Sequence, residues 1–495
     1  MEFWSNGVLE GLEAHHSTTP SLQYSSPDEA NGPTIFCKEN SKMATGITEQ
    51  LAIHTAKVRY EDIPPEAIEK AKDCILDQIG VELIGSTLEW NKIAYRYVAD
   101  MGGRGESTVV HYGKKVPTLD AAFVNATFGQ GCELDDVGFA AGGHPGAATV
   151  PVALAVGEKQ HSSGKDFLAA VVVGWDVMYR LLAAVRPSSG KRGFHSHGIG
   201  APFGAMATAA RLLGLNDEQM LHAFGIAGMH SSGTMEYDQT GGEVKRVIAG
   251  IAARGGIQSA LLAQLGLTGP PTIIEGKRGF LKVFADGVEP EGITRDLGRE
   301  FKIMRIWFKL YPCVATVQGV IYTLGKLIDE HRFTADDVEE IQVGISETSL
   351  SHGGAIYEPH DTATAQFSLP FSLAIRLLKN DNDLSFYMDP KLWTDPKVLA
   401  LAKKVKSYAD PNAKKDQNYN TTMEVRLTNG KTYKAFEPYP PGSPLNMVSR
   451  DVLRAKFRKM ARAVLPDERI DKLIEAVDRL ETCNDTAQLI PLLVK

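Results

Sequence analysis

Gly131-Cys-Glu-Leu-Asp-Asp-Val-Gly-Phe-Ala-Ala-Gly-Gly-His-Pro-Gly-Ala-Ala-Thr-Val150 joins an acidic turn to the start of an apolar helix. Three acids, Glu133, Asp135 and Asp136, precede a glycine-rich turn, and His144, held by Pro145, leads into the apolar run Ala147–Val156. Carboxylates and an imidazole beside an apolar wall suit proton transfer. A solvated helix end has the same composition, so this stretch alone leaves both readings open.

Outward from that run the pattern is helical in both directions. Gly46–Val58, Pro64–Ile84 and Thr118–Phe128 precede it, with Pro64-Pro65 giving the second segment a sharp start. Ala147–Lys159, Gly164–Ala184, Gly200–Leu213, Asp217–Met229 and Val244–Leu265 continue with apolar residues at three- and four-residue spacing. Alanine and glycine abound (Ala205–Ala210, Ala249–Gly256), which lets helix axes approach closely. Near Phe301 the character changes. Phe301–Phe308 is β-prone, Thr316–His331 and a segment around Phe367–Leu378 are helical, and Val338–Ile345 alternates like a half-buried strand. Thr421–Thr428 and Lys431–Glu437 are joined by Asn429-Gly430, a tight-hairpin signal. Pro438–Pro444 reads as a stiff linker, after which Ser449–Ala463 and Asp467–Leu480 return to charged amphipathic helices. The expected fold is therefore mainly α. A large helical domain (43–300 and 445–495) is interrupted by a smaller α/β domain (301–444), and the crevice between them is the default ligand site. Residues 1–42 lack periodicity, a hydrophobic signal core and presequence arginines, and read as a disordered extension.

Composition narrows the function. The chain has 495 residues, 43% hydrophobic, with a net charge of −7. That balance argues against a protein that grips nucleic acid phosphates. Five scattered cysteines without a paired motif favour a reduced, cytoplasmic setting over a disulfide or zinc framework. The longest apolar runs, such as Phe167–Val173, fall short of the roughly 20 residues that cross a bilayer, so no membrane partner is expected.

Further stretches carry chemistry-grade residues. In Gly193-Phe-His-Ser-His-Gly-Ile-Gly200, His195 and His197 immediately precede a helix, whose N-terminus attracts anions; a capping histidine is the plainer alternative. Lys245 opens a small-residue helix, where an inward ammonium needs either a buried ion-pair partner or an anionic ligand. Arg246, one step round, reads as a structural pair. In Trp307-Phe-Lys-Leu-Tyr-Pro-Cys313, Lys309 and Tyr311 alternate onto one face of an extended segment that could look into the crevice, while Cys313 reads as a buried thiol. Ser351-His352-Gly353-Gly354 and His360-Asp361 read as surface loops. No metal-ligand spacing and no phosphate-loop pattern appears.

Taken in order, Glu-Leu-Asp-Asp…His-Pro-Gly-Ala-Ala-Thr-Val-Pro, Gly-Phe-His-Ser, Val-Lys-Arg-Val…Ala-Ala-Arg and Lys-Leu-Tyr-Pro-Cys resemble the MmgE/PrpD family from about Gly46 to near the C-terminus. That family includes 2-methylcitrate dehydratase, cis-aconitate decarboxylase and an iminodisuccinate epimerase. The resemblance implies a helical domain with a smaller lid domain, a homodimer, and a site without a cofactor. Carried over by motif, His144, His195 and Lys245 look like catalytic residues. Lys309, Tyr311, Asp135, Asp136, Glu133 and His197 are the candidate substrate-binding residues. The chain departs from its relatives at Glu133, where Asp is frequent, at Val137, where Thr is frequent, and in Gln366–Pro370, where some decarboxylases place a tyrosine.

The implied function is lyase chemistry on a citrate- or aconitate-like polycarboxylate, with histidines as acid and base and lysines clamping carboxylates. The unmatched tyrosine puts dehydration of a 2-alkylcitrate slightly ahead of decarboxylation. An epimerase with two bases on opposite faces of one carbon is the enzymatic alternative. A helical binding scaffold is the non-enzymatic one.

Overall fold

Side-chain caps or prolines start many of the helices, and the left-handed residues His161, Arg332 and Asn380 end three of them. In a computed structural model describing residues 46–237, 242–287, 290–351, 353–354, 356–413 and 419–495, the helices of eight residues or more are numbered in chain order. The extension 1–42 and His352 lie outside the described residues. The first part of the chain supplies α1 (Ile47–Lys57), α2 (Pro65–Gly85), α3 (Glu89–Met101), α4 (Thr118–Gln130), α5 (Pro145–Gln160), α6 (Gly164–Val185), α7 (Ser196–Leu212), α8 (Asp217–Ala227) and α9 (Ile248–Gln264). The helix α3 escaped the sequence reading. Its apolar residues Ile93, Ala94, Tyr97, Val98 and Met101 do follow helical spacing, with Ala94 and Val98 buried and Ile93, Tyr97 and Met101 exposed.

The central helix is α6. Ser163 caps it by accepting from the Asp166 N–H at 3.1 Å, and Phe167, Leu168, Val171, Val172, Trp175 and Leu181 are fully buried. A Cβ on Gly174 would collide with Thr208 and the Gly204 carbonyl of α7, so glycine there is what lets the two axes approach. Contrary to the expectation from uninterrupted runs, α6 is long and apolar enough to cross a membrane, although 89% of its most apolar window is buried within this fold. Asp176 and Arg180 interrupt the run in sequence, yet they pair at 2.7 Å inside the core. Burial on all sides marks α6 as a core helix.

The second part builds a smaller sheet module. Phe301–Phe308 is mostly a 3₁₀ turn (Lys302–Arg305), and only β2 (Ile306–Trp307) is extended, paired antiparallel with β1 (Val137–Gly138). Then come α10 (Ala315–His331), β3 (Val338–Ile345), α11 (Leu369–Lys379), α12 (Pro396–Lys403), β4 (Val405–Ala409), β5 (Thr421–Leu427) and β6 (Thr432–Glu437). The helix expected around Phe367–Leu378 is α11, which starts two residues later at Leu369. A short turn, Thr362–Gln366, precedes it, and Ser368 caps α11 by accepting from the Phe371 N–H at 3.0 Å.

Sheet order is β4-β3-β5-β6, with β3 parallel to β4 and the other pairs antiparallel. A parallel pair needs a long crossover, which accounts for the helical segment between β3 and β4. The sequence reading missed β4 because the basic run Lys403–Lys406 that leads into it looks like a solvated helix face. At the β5–β6 hairpin the Leu427 N–H donates to the Lys431 carbonyl at 2.8 Å, and Gly430 alone of the turn residues is left-handed. The loop is thus Thr428–Gly430, one residue longer than the dipeptide signal suggested.

Residues from 46 onward form one compact unit with separate apolar cores. One runs through α1–α9 and takes in Leu453 and Phe457 of α13 (Arg450–Ala461) and Ile470 and Leu473 of α14 (Asp467–Asp478). The other lies between α10, α11 and the sheet, around Ile321, Leu324, Ile341, Val343, Leu373 and Val425. A small cluster of Val137, Phe139 and Trp307 sits at the β1–β2 junction. That junction fixes the acidic stretch against the Lys309 segment.

Candidate active site

Four chain segments converge at this junction. The acidic stretch arrives from the end of α4, held by Arg246, whose guanidinium donates to the Gly131 carbonyl and stacks 4.0 Å from the Trp90 ring centroid. Glu133 follows with φ of 58°, a left-handed value uncommon for a residue with a side chain. Its carboxylate spans two ammonium groups: Oε1 contacts Lys245, and Oε2 lies 3.2 Å from Lys309 Nζ. Lys309 also reaches Asp135 Oδ1 at 3.5 Å. All four of these side chains are buried.

Asp135 and Asp136, adjacent in sequence, have opposite environments. Burial alone would raise the Asp135 carboxyl, but the charges of His144 and Lys309, with a hydrogen bond to His144, outweigh it and bring it down to about 2. Asp136 accepts the Gly146 N–H on both oxygens, at 2.9 and 3.1 Å, and so caps the first turn of α5. For Asp136 burial wins, reinforced by Asp135 and Asp77, and its carboxyl rises to about 7. One acid is held as an anion, while the other is partly protonated at neutral pH.

His144 lies just before α5. Its Nδ1 is 2.9 Å from the Asp136 carbonyl oxygen and 3.0 Å from Asp135 Oδ2. An Nδ1–H donated to these oxygens leaves the lone pair on Nε2. The His144 backbone N–H donates to His197 Nδ1 at 3.1 Å. His197 is fully buried, and burial followed by the neighbouring His144 and His195 pulls its pKa well below the usual histidine value. It lies inside the first turn of α7 rather than before it, as a neutral support behind His144. His195 is the cap residue of α7, its N–H donating to the Gly233 carbonyl at 3.0 Å. Its ring lies parallel to that of His144, with 6.3 Å between centroids and 4° between planes.

Lys245 sits in a 3₁₀ turn, Glu243–Val247, ahead of α9, and not in the first turn of a regular helix as its spacing suggested. Burial, followed by the nearby Lys309 and Arg246 cations, lowers its pKa well below the ordinary lysine value, and its Nζ lies 5.5 Å from the Phe367 ring centroid. A carboxylate in contact with an ammonium favours its charged form, and Glu133 is placed to do so for Lys245.

Lys309 and Tyr311 do not share a destination. The segment after β2 is not extended, so Tyr311 packs against the small module's core, where burial raises its hydroxyl to about 12. Cys313 is a buried thiol raised to about 12 by desolvation, with Gln318 Nε2 at 3.3 Å from its sulfur. Asp361 caps the turn Thr362–Gln366, and the His360 side chain is exposed. The sequence reading missed Tyr237, 5.9 Å from His195 between ring centroids, and Phe367 as the partner of Lys245. Only the departure noted at Gln366–Pro370 pointed toward the latter. The Gln366 amide bridges the Cys132 and Pro312 carbonyls at 2.9 and 3.0 Å, tying that segment to the acidic stretch and to the segment after Lys309.

Buried imidazoles, carboxylates and two lysines brought together on a helical scaffold are a constellation suited to acid–base work. The MmgE/PrpD N-terminal domain matches residues 49–292 and the C-terminal domain residues 311–482; the chain belongs to the MmgE/PrpD family and is a lyase of that type. It is 30% identical over 469 residues to a cis-aconitate decarboxylase-like protein, oryM, of Aspergillus oryzae, covering 90% of this chain and 97% of that one. Identity to a cis-aconitate decarboxylase of Aspergillus terreus is also 30%, over 479 residues, covering 92% and 97%. A 2-methylcitrate dehydratase-like protein of Aspergillus oryzae, oryR, is 23% identical over 337 residues, covering 64% and 66%.

Proposed function

We propose that this chain decarboxylates an unsaturated tricarboxylate of the cis-aconitate kind. The observation that carries this reading is the buried line Lys245–Glu133–Lys309–Asp135–His144, flanked by His195. Lys245 and Lys309 supply ammonium groups for substrate carboxylates. His144, its ring set by Asp135 and the Asp136 carbonyl, or His195 facing it, delivers a proton to one alkene carbon. The bond to the departing carboxylate breaks, its electron pair forms the new double bond, and the old π pair takes the proton. Carbon dioxide and a dicarboxylate with a displaced alkene result. The higher identity and fuller coverage of the decarboxylase relatives favour this over dehydration, reversing the order that the missing tyrosine suggested.

The parallel imidazoles favour one second reading. Two bases facing each other at 6.3 Å between centroids suit proton exchange on opposite faces of a single carbon, which is epimerisation. Incubation with cis-aconitate, 2-methylcitrate and iminodisuccinate in deuterated water separates the cases. Carbon dioxide from cis-aconitate supports decarboxylation. Water loss from 2-methylcitrate alone, or deuterium uptake without carbon dioxide, sinks it.

The small module serves in this reading as a lid that carries Lys309, and the enzyme acts as a homodimer. Support for the dimer comes from the outer face of α3, where Ile93, Tyr97 and Met101 recur at four-residue spacing and are 56%, 48% and 62% exposed.

A further inference from the structure

We infer that Glu133 is a built-in occupant of the substrate-carboxylate subsite, holding Lys245 and Lys309 in the resting enzyme, yielding both to a substrate carboxylate, and taking up a proton as it does so. This rests on the reading of the site as one for polycarboxylates.

The geometry points to it in three ways. The two Glu133 oxygens engage different lysines, which come from segments 112 and 176 residues away, as a ligand carboxylate would. The backbone at Glu133 is left-handed, a cost that surrounding structure must hold in place and that concentrates at functional positions. The side chain is only 6% exposed, so a displaced carboxylate stays out of bulk water.

Charge then sets the protonation state of the displaced carboxyl group. The groups around Glu133 are Cys132 and Asp135 on its own stretch, Lys245 and Arg246 from the turn before α9, Lys309 after β2, and His144 before α5, which is paired with Asp135. Arg246 is engaged with the Gly131 carbonyl and Trp90. A Glu133 carboxylate without its lysines lies near the Asp135 carboxylate in a desolvated site, and both burial and like charge favour its neutral form. Retaining Glu133 as an anion would set its charge, that of Asp135 and the substrate carboxylates against two ammonium groups.

Calorimetric titration with propane-1,2,3-tricarboxylate, which has neither alkene nor hydroxyl to react, tests the inference in two buffers of different ionisation enthalpy. The wild-type chain is expected to take up about one proton per ligand, with Kd rising about tenfold per pH unit above neutrality. Glu133→Gln is expected to bind with no uptake and to lose that part of the pH dependence. Any loss of Lys245 charge affects both proteins, so the difference between them is the readout. Glu133→Asp, which keeps the charge, is expected to keep the uptake. Binding without proton uptake by wild type, or uptake that persists in Glu133→Gln, overturns the inference while leaving the polycarboxylate reading intact. Absence of any binding overturns both.

Discussion

His144, His195 and Lys245 are each expected to lower kcat by at least ~100-fold when replaced by alanine, as loss of a proton-transfer or charge-clamping group does. Steady-state kinetics with unchanged circular dichroism checks this, and near-wild-type turnover removes that residue from the assignment. Asp136 makes a different prediction. Its carboxyl ionises near 7 in the folded chain but near 3.9 in an unfolded one. Between these values the folded state binds the extra proton, so stability falls as pH rises through the window. Asp136→Asn keeps an acceptor for the Gly146 N–H and removes the ionisation. The variant should therefore gain on wild type by up to about 4 kcal/mol between roughly pH 4 and pH 8. A stability difference that stays flat across that range, measured by denaturant unfolding, would falsify this account of Asp136.

The Pro438–Pro444 segment is more than a linker. Pro441 and Gly442 are buried against the strand that leads to Lys309. The Trp307 indole donates to the Pro441 carbonyl at 3.1 Å, and the Phe308 N–H donates to the Gly442 carbonyl at 3.1 Å. Gly442 has φ of 82°, and a Cβ there would strike the Phe308 carbonyl. Gly442→Ala should cost about 1–2 kcal/mol from the left-handed backbone alone. It should also displace Lys309, raising KM more than it lowers kcat. Equal KM in the variant, with stability reduced, would confine the segment to a structural role.

Two sets of helices and one sheet are held to each other by the short β1–β2 ladder, the Gln366 bridge and the Glu133 ion pairs. The site therefore exists only when both cores are folded and apposed. The exposed α3 stripe makes the prediction that belongs to the whole molecule. If α3 is the interface of the proposed dimer, Ile93→Lys with Tyr97→Lys should convert that dimer to monomer in sedimentation while leaving helix content unchanged. A wild-type chain that sediments as a monomer, or a variant that stays dimeric, rejects α3 as the interface.

The sequence by itself determined the helical class, most helix positions and the hairpin, because apolar periodicity, caps and turn dipeptides act locally. His144, Lys245 and Lys309 were legible as chemistry among small apolar residues, and their order carried the family resemblance. Only tertiary structure decided their roles. It sent Tyr311 to the small core instead of beside Lys309, and put His197 behind His144 as a neutral support. It gave adjacent acids different protonation states, with Asp135 brought down to about 2 and Asp136 raised to about 7. It also placed Glu133 between two lysines distant in the chain. Such outcomes depend on burial and on charges from remote segments, which local sequence pattern does not encode.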